Sequence, residues 1–228
     1  MKKYAIVTGA ASGIGLDVAT RLSDMGIRVF GLDLKPYPSA NFHQFICDVS
    51  CENDIIQTLN AIREETDHID YLINVAGVLT VNGKRYIKDM ETIDWNQILS
   101  NNLTSVFMML RHTFPLLKAS HGAAVVSLSS DQSLKGQQGF CAYGVSKVGI
   151  NMLTQIAADE FYGDGIRVNA IAPGAVKTNF LTSLFPDKVI KKIYETEGDN
   201  ILKPFQVTDL ICFLISDQCK TTGKVFSL

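Results

Sequence analysis

Tyr143 and Lys147 stand four residues apart at the start of a segment of helical period, so their side chains share one helix face. That pairing suits proton transfer. A free tyrosine has a pKa of about 10, and bringing it near pH 7 for acid/base work costs about 4 kcal/mol. A lysine ammonium about 4 to 5 Å from the phenolate supplies on the order of 3 to 4 kcal/mol at an effective dielectric of about 20, before desolvation opposes it. With 7 tyrosines in 228 residues, about half of one Tyr-x-x-x-Lys match is expected by chance, so the neighbours decide. Ser130 lies thirteen residues upstream at the end of an apolar run of strand length, where its hydroxyl would bond a substrate oxygen as charge develops on it. Asn102 lies in a long helical segment that would flank the same sheet.

A second set of residues points to a nucleotide. Thr8-Gly9-Ala10-Ala11-Ser12-Gly13-Ile14-Gly15 stands between a first strand and a first helix. Glycines there allow a tight turn and let backbone N–H groups approach a pyrophosphate at the positive end of the helix. Asp33 ends the second strand, eighteen residues after Gly15, where a carboxylate accepts from the adenosine ribose hydroxyls and repels a 2′-phosphate. Neither Ser12 nor Leu34 is basic, although Lys35 is near. NAD is therefore expected in preference to NADP.

The elements that must position these groups alternate along the whole chain, short apolar runs with longer segments of helical period. Strands are expected over Tyr4 to Thr8, Arg28 to Asp33, Phe42 to Cys47, Tyr71 to Asn74, Ala123 to Ser129 and Arg167 to Ala172, with a last one within Gly223 to Phe226. The first helix turns Ile14, Val18, Leu22 and Met25 inward and ends at Gly26. A second runs from Glu52 to about Thr66 with Ile55, Ile56, Leu59 and Ile62 inward, and others span Thr92 to Phe114, Tyr143 to Phe161 and Val207 to Ile215. The expected fold is α/β, a single doubly wound Rossmann-type domain over residues 1–228, its sheet mostly parallel with helices on both faces. The irregular stretches Val78 to Met90 and Ala175 to Asn200 each follow a strand end, where open α/β sheets bind ligands, and are the expected pocket walls and lid.

Composition narrows the partners. A formal net charge of −2, with no long Lys/Arg run, leaves no electrostatic footprint for nucleic acid or an acidic membrane. Apolar runs are far shorter than the roughly 18 residues of a membrane span, and the Met1-Lys2-Lys3 start leads into too short an apolar run for a secretion signal. Five cysteines without a C-x-x-C or a histidine at ligand spacing read as reduced thiols in a cytoplasmic protein with no metal site.

These motifs together resemble, in order and over essentially the whole length, those of the short-chain dehydrogenase/reductase family. Thr8 to Gly15 is similar to its T-G-x-x-x-G-x-G, Asp48-Val49 to its adenine-contacting pair and Asn74-Val75-Ala76-Gly77 to its N-N-A-G. Asn102-Leu103, Ser129-Ser130 and Tyr143 to Lys147 follow the family pattern, as do Arg167-Val168-Asn169 and Pro173 to Thr178, the stretch that meets the nicotinamide. The resemblance implies a catalytic set of Asn102, Ser130, Tyr143 and Lys147, with Asn102 holding a water that links Lys147 to solvent. It implies cofactor contacts from Gly9, Ser12, Gly13, Ile14, Gly15, Asp33, Asp48, Val49, Asn74, Ala76, Gly77, Tyr143, Lys147, Pro173, Gly174, Val176 and Thr178. Asn102 is preferred to the adjacent Asn101 because Leu103 follows it. Val75 departs from the second asparagine, and Ser227-Leu228 stands where family members run on through Asp-Gly-Gly, which puts subunit contacts and pocket cover in doubt.

The function expected is NAD-dependent hydride transfer between a secondary alcohol, or its ketone, and nicotinamide. A non-catalytic nucleotide sensor on the same fold would keep the glycine turn and Asp33 but has no need of Ser130, Tyr143 and Lys147 together. The polar loop of Asp131, Gln132, Gln137 and Gln138 fits a hydroxylated substrate, but as a pattern it reads first as a solvated loop. A homotetramer is expected from the resemblance, or a dimer if the C-terminus weakens the second contact. Met108, Met109, Leu116 and Leu117, with Ile150, Leu153 and Ile156, are the apolar residues expected to supply a helix-paired interface.

Overall fold

Buried apolar runs joined through amphipathic helices pair in parallel, because each crossover returns the chain to the same end of the sheet. The computed structural model describes residues 2–178 and 201–228, with 188, 190, 191, 195 and 198 between them. Its strands are β1 (Tyr4–Thr8), β2 (Arg28–Asp33), β3 (His43–Ile46), β4 (Tyr71–Asn74), β5 (Ala124–Leu128), β6 (Arg167–Ala172) and β7 (Val225–Ser227). They form one seven-stranded parallel sheet in the order β3-β2-β1-β4-β5-β6-β7. The winding direction reverses between β1 and β4, so a crevice opens beyond their carboxyl ends.

The helices are α1 (Gly13–Asp24), α2 (Glu52–Arg63), α3 (Thr92–Leu99), α4 (Ser105–Ala119), α5 (Cys141–Glu160) and α6 (Pro204–Ile215). Alternate strand residues serve opposite layers, as the period of two requires. Ile6, Leu72, Val125 and Val168 pack with α2, α4 and α5, while Ala5, Val7, Ile73 and Val126 pack with α1 and α6. Gly26 ends α1 at φ +82°, in the left-handed region that spares only glycine a steric cost.

Several sequence expectations need correction. Met25 and Ile56 face solvent rather than the core, because the apolar stripes of α1 and α2 are narrower than their periodicity suggests. The long helix runs on to Ala119 through Pro115, since burial of Leu116 and Leu117 outweighs the backbone bond that proline forfeits. It is also interrupted by a π segment, Ser100–Thr104, between α3 and α4. Met108, Met109, Leu116, Leu117 and Ile150 are buried inside this chain, so they leave no apolar surface for a partner. The exposed apolar positions of this region are Phe107 on α4 and Val145, Val148, Met152 and Ile156 on α5.

The final strand is short, Val225–Ser227, and is held at its start. Asn169 clamps it from both sides of its amide, Nδ2 donating to the Thr221 carbonyl at 2.7 Å and Oδ1 accepting from the Lys224 N–H at 3.1 Å. Beyond β7, the Leu228 carbonyl accepts from Gly174 N–H at 3.1 Å, which brings this segment to the crevice wall. The expected lid residues Leu181, Leu184, Phe185 and Ile193 lie outside the described residues. No helix among the described residues is long and apolar enough to cross a membrane.

Candidate active site

The β1–α1 turn is built by contacts that exclude side chains. Gly9 adopts φ +69°, and a Cβ there would sit 3.0 Å from the Ala76 backbone; a Cβ on Gly15 would sit 2.0 Å from the Gly9 carbonyl oxygen. Thr8 Oγ1 accepts from the N–H groups of Val75 and Ala76 at 3.0 and 3.1 Å, tying the turn after β1 to the turn after β4. Val75 takes part through its backbone, so its departure from asparagine costs nothing in this link. The Asp33 carboxylate accepts from Ala11 N–H at 2.9 Å and from Lys35 N–H at 3.3 Å, which orients it beside the glycine turn. Asp48 is held by Ser50, whose N–H and hydroxyl donate to it at 2.9 and 2.6 Å.

A cavity of about 1040 Å³ runs along the carboxyl ends of the strands from Asp33, Cys47, Asp48 and Val49, past Gly9, Ser12, Gly13 and Ile14, to Ser130, Tyr143 and Lys147. Ala76, Gly77, Pro173, Gly174, Val176 and Thr178 line it as well. Three expected site residues stand outside its lining. Gly15 is needed for closeness to Gly9 and not for contact. Asn74 lies within the sheet, its Nδ2 donating to Ser127 Oγ at 3.2 Å. Asn102 is fully buried behind the loop after β4.

The Asn102 side chain has a structural task. Its Oδ1 accepts from Val78 N–H at 2.7 Å, and its Nδ2 donates to the Val78 carbonyl at 2.8 Å and to Ser146 Oγ at 3.1 Å. Both N–H groups and the carbonyl of the amide are engaged, so the side chain staples the β4 loop to α5. The π segment turns Asn102 inward and leaves Asn101, the candidate passed over, on the cavity wall. Gly77 permits this approach, since a Cβ there would sit 3.0 Å from Asn102 Oδ1.

Lys147 Nζ donates to the Leu128 carbonyl at 2.7 Å and lies 5.6 Å from the centre of the Tyr143 ring. Burial pulls the lysine down to about 8. Burial also pushes the Tyr143 phenol up to about 12, against a lowering hydrogen bond with Ser130 and with a further upward push from the Asp131 carboxylate. In the cofactor-free protein burial acts against the charged form of each group, opposite in direction to the tuning expected from their pairing.

Sequence reasoning also missed Cys47, Phe140, Leu202 and Leu228 on the cavity wall. Leu202 arrives by a parallel bridge with Val176 and Leu228 by its bond to Gly174, pairings between distant segments that no local spacing signals.

A short chain dehydrogenase family model matches residues 3–189. The chain is 31% identical to the short-chain dehydrogenase/reductase olcF of Penicillium canescens, over 93% of this chain and 89% of that protein. It is 28% identical to a cyclopentanol dehydrogenase of a Comamonas species, over 95% and 90% respectively. The ligand-free structure of the Thermoplasma acidophilum aldohexose dehydrogenase superposes with a TM-score of 0.90 at 28% identity, covering 100% of this chain and 92% of that one. The chain belongs to the short-chain dehydrogenase family and is an oxidoreductase of that family. A nicotinamide dinucleotide, the family's cofactor, fits the residues present: a glycine-rich turn at a helix N-terminus, a carboxylate at one end of the cleft and the tyrosine and lysine at the other.

Proposed function

We propose that this protein is an NAD(H)-dependent enzyme that moves a hydride between nicotinamide and a secondary alcohol or its ketone, with binding and catalysis in one domain. The observation that carries the reading is the meeting of Ser130, Tyr143 and Lys147 at one end of a cleft whose other end is Asp33. The likeness to a cyclopentanol dehydrogenase and an aldohexose dehydrogenase supports secondary alcohols as the class. The five free cysteines support a cytoplasmic location.

In this reading the bound nicotinamide supplies the hydride acceptor or donor and, when oxidised, a positive charge. Tyr143 Oη takes the proton from the substrate hydroxyl in oxidation and returns it to the oxygen in reduction. The Ser130 hydroxyl bonds the same oxygen as charge develops on it. Lys147 stabilises the phenolate from within the protein, and Asn102 acts as a positioning residue through Val78 and Ser146. A panel of polyols, sugars, hydroxy acids and cyclic alcohols with each dinucleotide, followed at the nicotinamide absorbance, tests the reading. Absence of oxidation of every secondary alcohol, and of reduction of the matching ketones, would overturn it.

NAD is preferred in this reading because Asp33 meets the ribose end, while Leu34 is exposed and carries no charge. Dissociation constants for the two oxidised dinucleotides are expected to favour NAD by about tenfold or more, the worth of about 1.4 kcal/mol. Asp33→Ala combined with Leu34→Arg replaces repulsion of a 2′-phosphate by attraction and is expected to reverse the order. A wild-type protein that binds NADP more tightly would mean that Lys35 outweighs Asp33.

At least a dimer is expected, and a tetramer if a second face pairs. The basis is the exposed stripe of Val145, Val148, Met152 and Ile156 along α5 with Phe107 beside it, of which Ile156 alone is among the residues first expected there. Light scattering across a concentration series checks this. Met152→Asp is expected to give monomers, and a wild-type monomer at micromolar concentration would refute the pairing.

A further inference from the structure

Asp131 occupies a place that the proton transfer does not explain. It follows Ser130, lines the cavity and is 34% exposed along its side chain. Its Oδ1 accepts the Ser130 hydroxyl at 3.2 Å and its Oδ2 pairs with Lys135 at 3.0 Å. Its backbone N–H donates to the Pro173 carbonyl at 3.0 Å, which anchors the turn to the end of β6. An ionised carboxylate offers roughly four acceptor positions, so these two side-chain contacts leave about half of them open. Its negative charge opposes formation of the Tyr143 phenolate. A carboxylate on the cavity wall beside Ser130, with acceptor positions open, is placed to act on the substrate.

Leu79 and Phe140 give the same end of the cavity an apolar surface for a carbon skeleton. Acceptors select donors. We propose that Asp131 recognises a hydroxyl on the carbon next to the one that exchanges hydride, which makes vicinal diols and the matching α-hydroxy ketones the substrate class, in place of isolated secondary alcohols. This rests on the oxidoreductase reading above, and Asp131 is its specificity-determining residue.

The test compares cis- and trans-1,2-cyclohexanediol with cyclohexanol, which lacks only the neighbouring hydroxyl. The kcat/KM ratio of the better diol to cyclohexanol is expected to be about tenfold or more in the wild-type enzyme, since a hydrogen bond to a charged acceptor is of that strength. Asp131→Asn is expected to bring the ratio down by about tenfold, whereas Lys135→Met, which removes the ion pair and keeps the carboxylate, should preserve it. A ratio near one in the wild type, an unchanged ratio in Asp131→Asn, or an equal loss in Lys135→Met would overturn the proposal. Ligand-observed NMR of the same three alcohols with NADH-loaded enzyme separates it from the oxidoreductase reading. Selective diol binding that Asp131→Asn weakens, with no alcohol oxidised, would sustain the role of Asp131 and remove that reading. Diol binding no better than that of cyclohexanol would overturn the role of Asp131 whatever the turnover.

Discussion

Turnover by Tyr143→Phe is expected to fall by about a thousandfold or more, at the upper end of what a positioned acid/base contributes, while the dinucleotide dissociation constant stays within about threefold. Phenylalanine keeps the ring, which is buried against Leu79, Ile98 and Phe140, and removes only Oη. Three consequences follow from that one atom. The substrate oxygen loses its proton partner, Ser130 loses the hydroxyl with which it shares a hydrogen bond, and Lys147 faces an uncharged ring throughout the reaction. Ser130 does not replace it, because its hydroxyl is already engaged by Asp131. Initial rates at the nicotinamide absorbance, with dinucleotide binding measured by fluorescence, check both halves. Turnover near the wild-type rate would remove Tyr143 from the mechanism. A loss of dinucleotide affinity as large as the loss of turnover would make it a binding residue instead.

The same residue marks how far a sequence can be read. The Tyr143–Lys147 pair, the Ser130 strand end and the glycine turn are all legible, because each is a local requirement: a helix repeat, a strand terminus, a backbone without Cβ. Strands β1, β2, β4 and β6 match their expected bounds, because an apolar run ended by a turn residue leaves little choice of limits. What is not legible depends on tertiary surroundings. Burial of Tyr143 and Lys147 together reverses the tuning expected from their charges alone. The engagement of Asn102 with Val78 and Ser146 needs a π segment, which has no simple sequence pattern. Met108, Met109 and Ile150 look like surplus apolar surface in a helical count, yet the layer of α2, α4 and α5 is thick enough to enclose them. The pocket wall at Leu202 and Leu228 comes from pairing across the end of the sheet, and nothing near either residue announces it.

Gly15→Ala carries the second large effect and separates binding from folding. The added methyl would lie 2.0 Å from the Gly9 carbonyl oxygen and 2.6 Å from its carbon, both main-chain atoms. Gly9 cannot retreat. Its N–H is bonded to the Leu32 carbonyl at 2.8 Å, and behind it stands the Ala76 backbone, itself held by Thr8. The start of α1 must therefore move away from the turn, and with it the N–H groups and the positive helix end that would meet a pyrophosphate. Dinucleotide affinity is expected to fall by about a hundredfold or more, equivalent to about 2.7 kcal/mol. The melting temperature should fall as well, by roughly 2 to 4 °C for each kcal/mol in a chain of this size. Gly26→Ala is the control. It meets nothing within 4 Å, and its φ of +82° is the whole of its difficulty, so it is expected to cost about 1 to 2 kcal/mol of stability with dinucleotide affinity unchanged. Calorimetric binding and thermal unfolding on the two variants decide the matter. If both lose stability and neither loses affinity, the glycine turn shapes the fold without holding the cofactor. Loss of affinity confined to Gly15→Ala makes the first turn of α1 the pyrophosphate site.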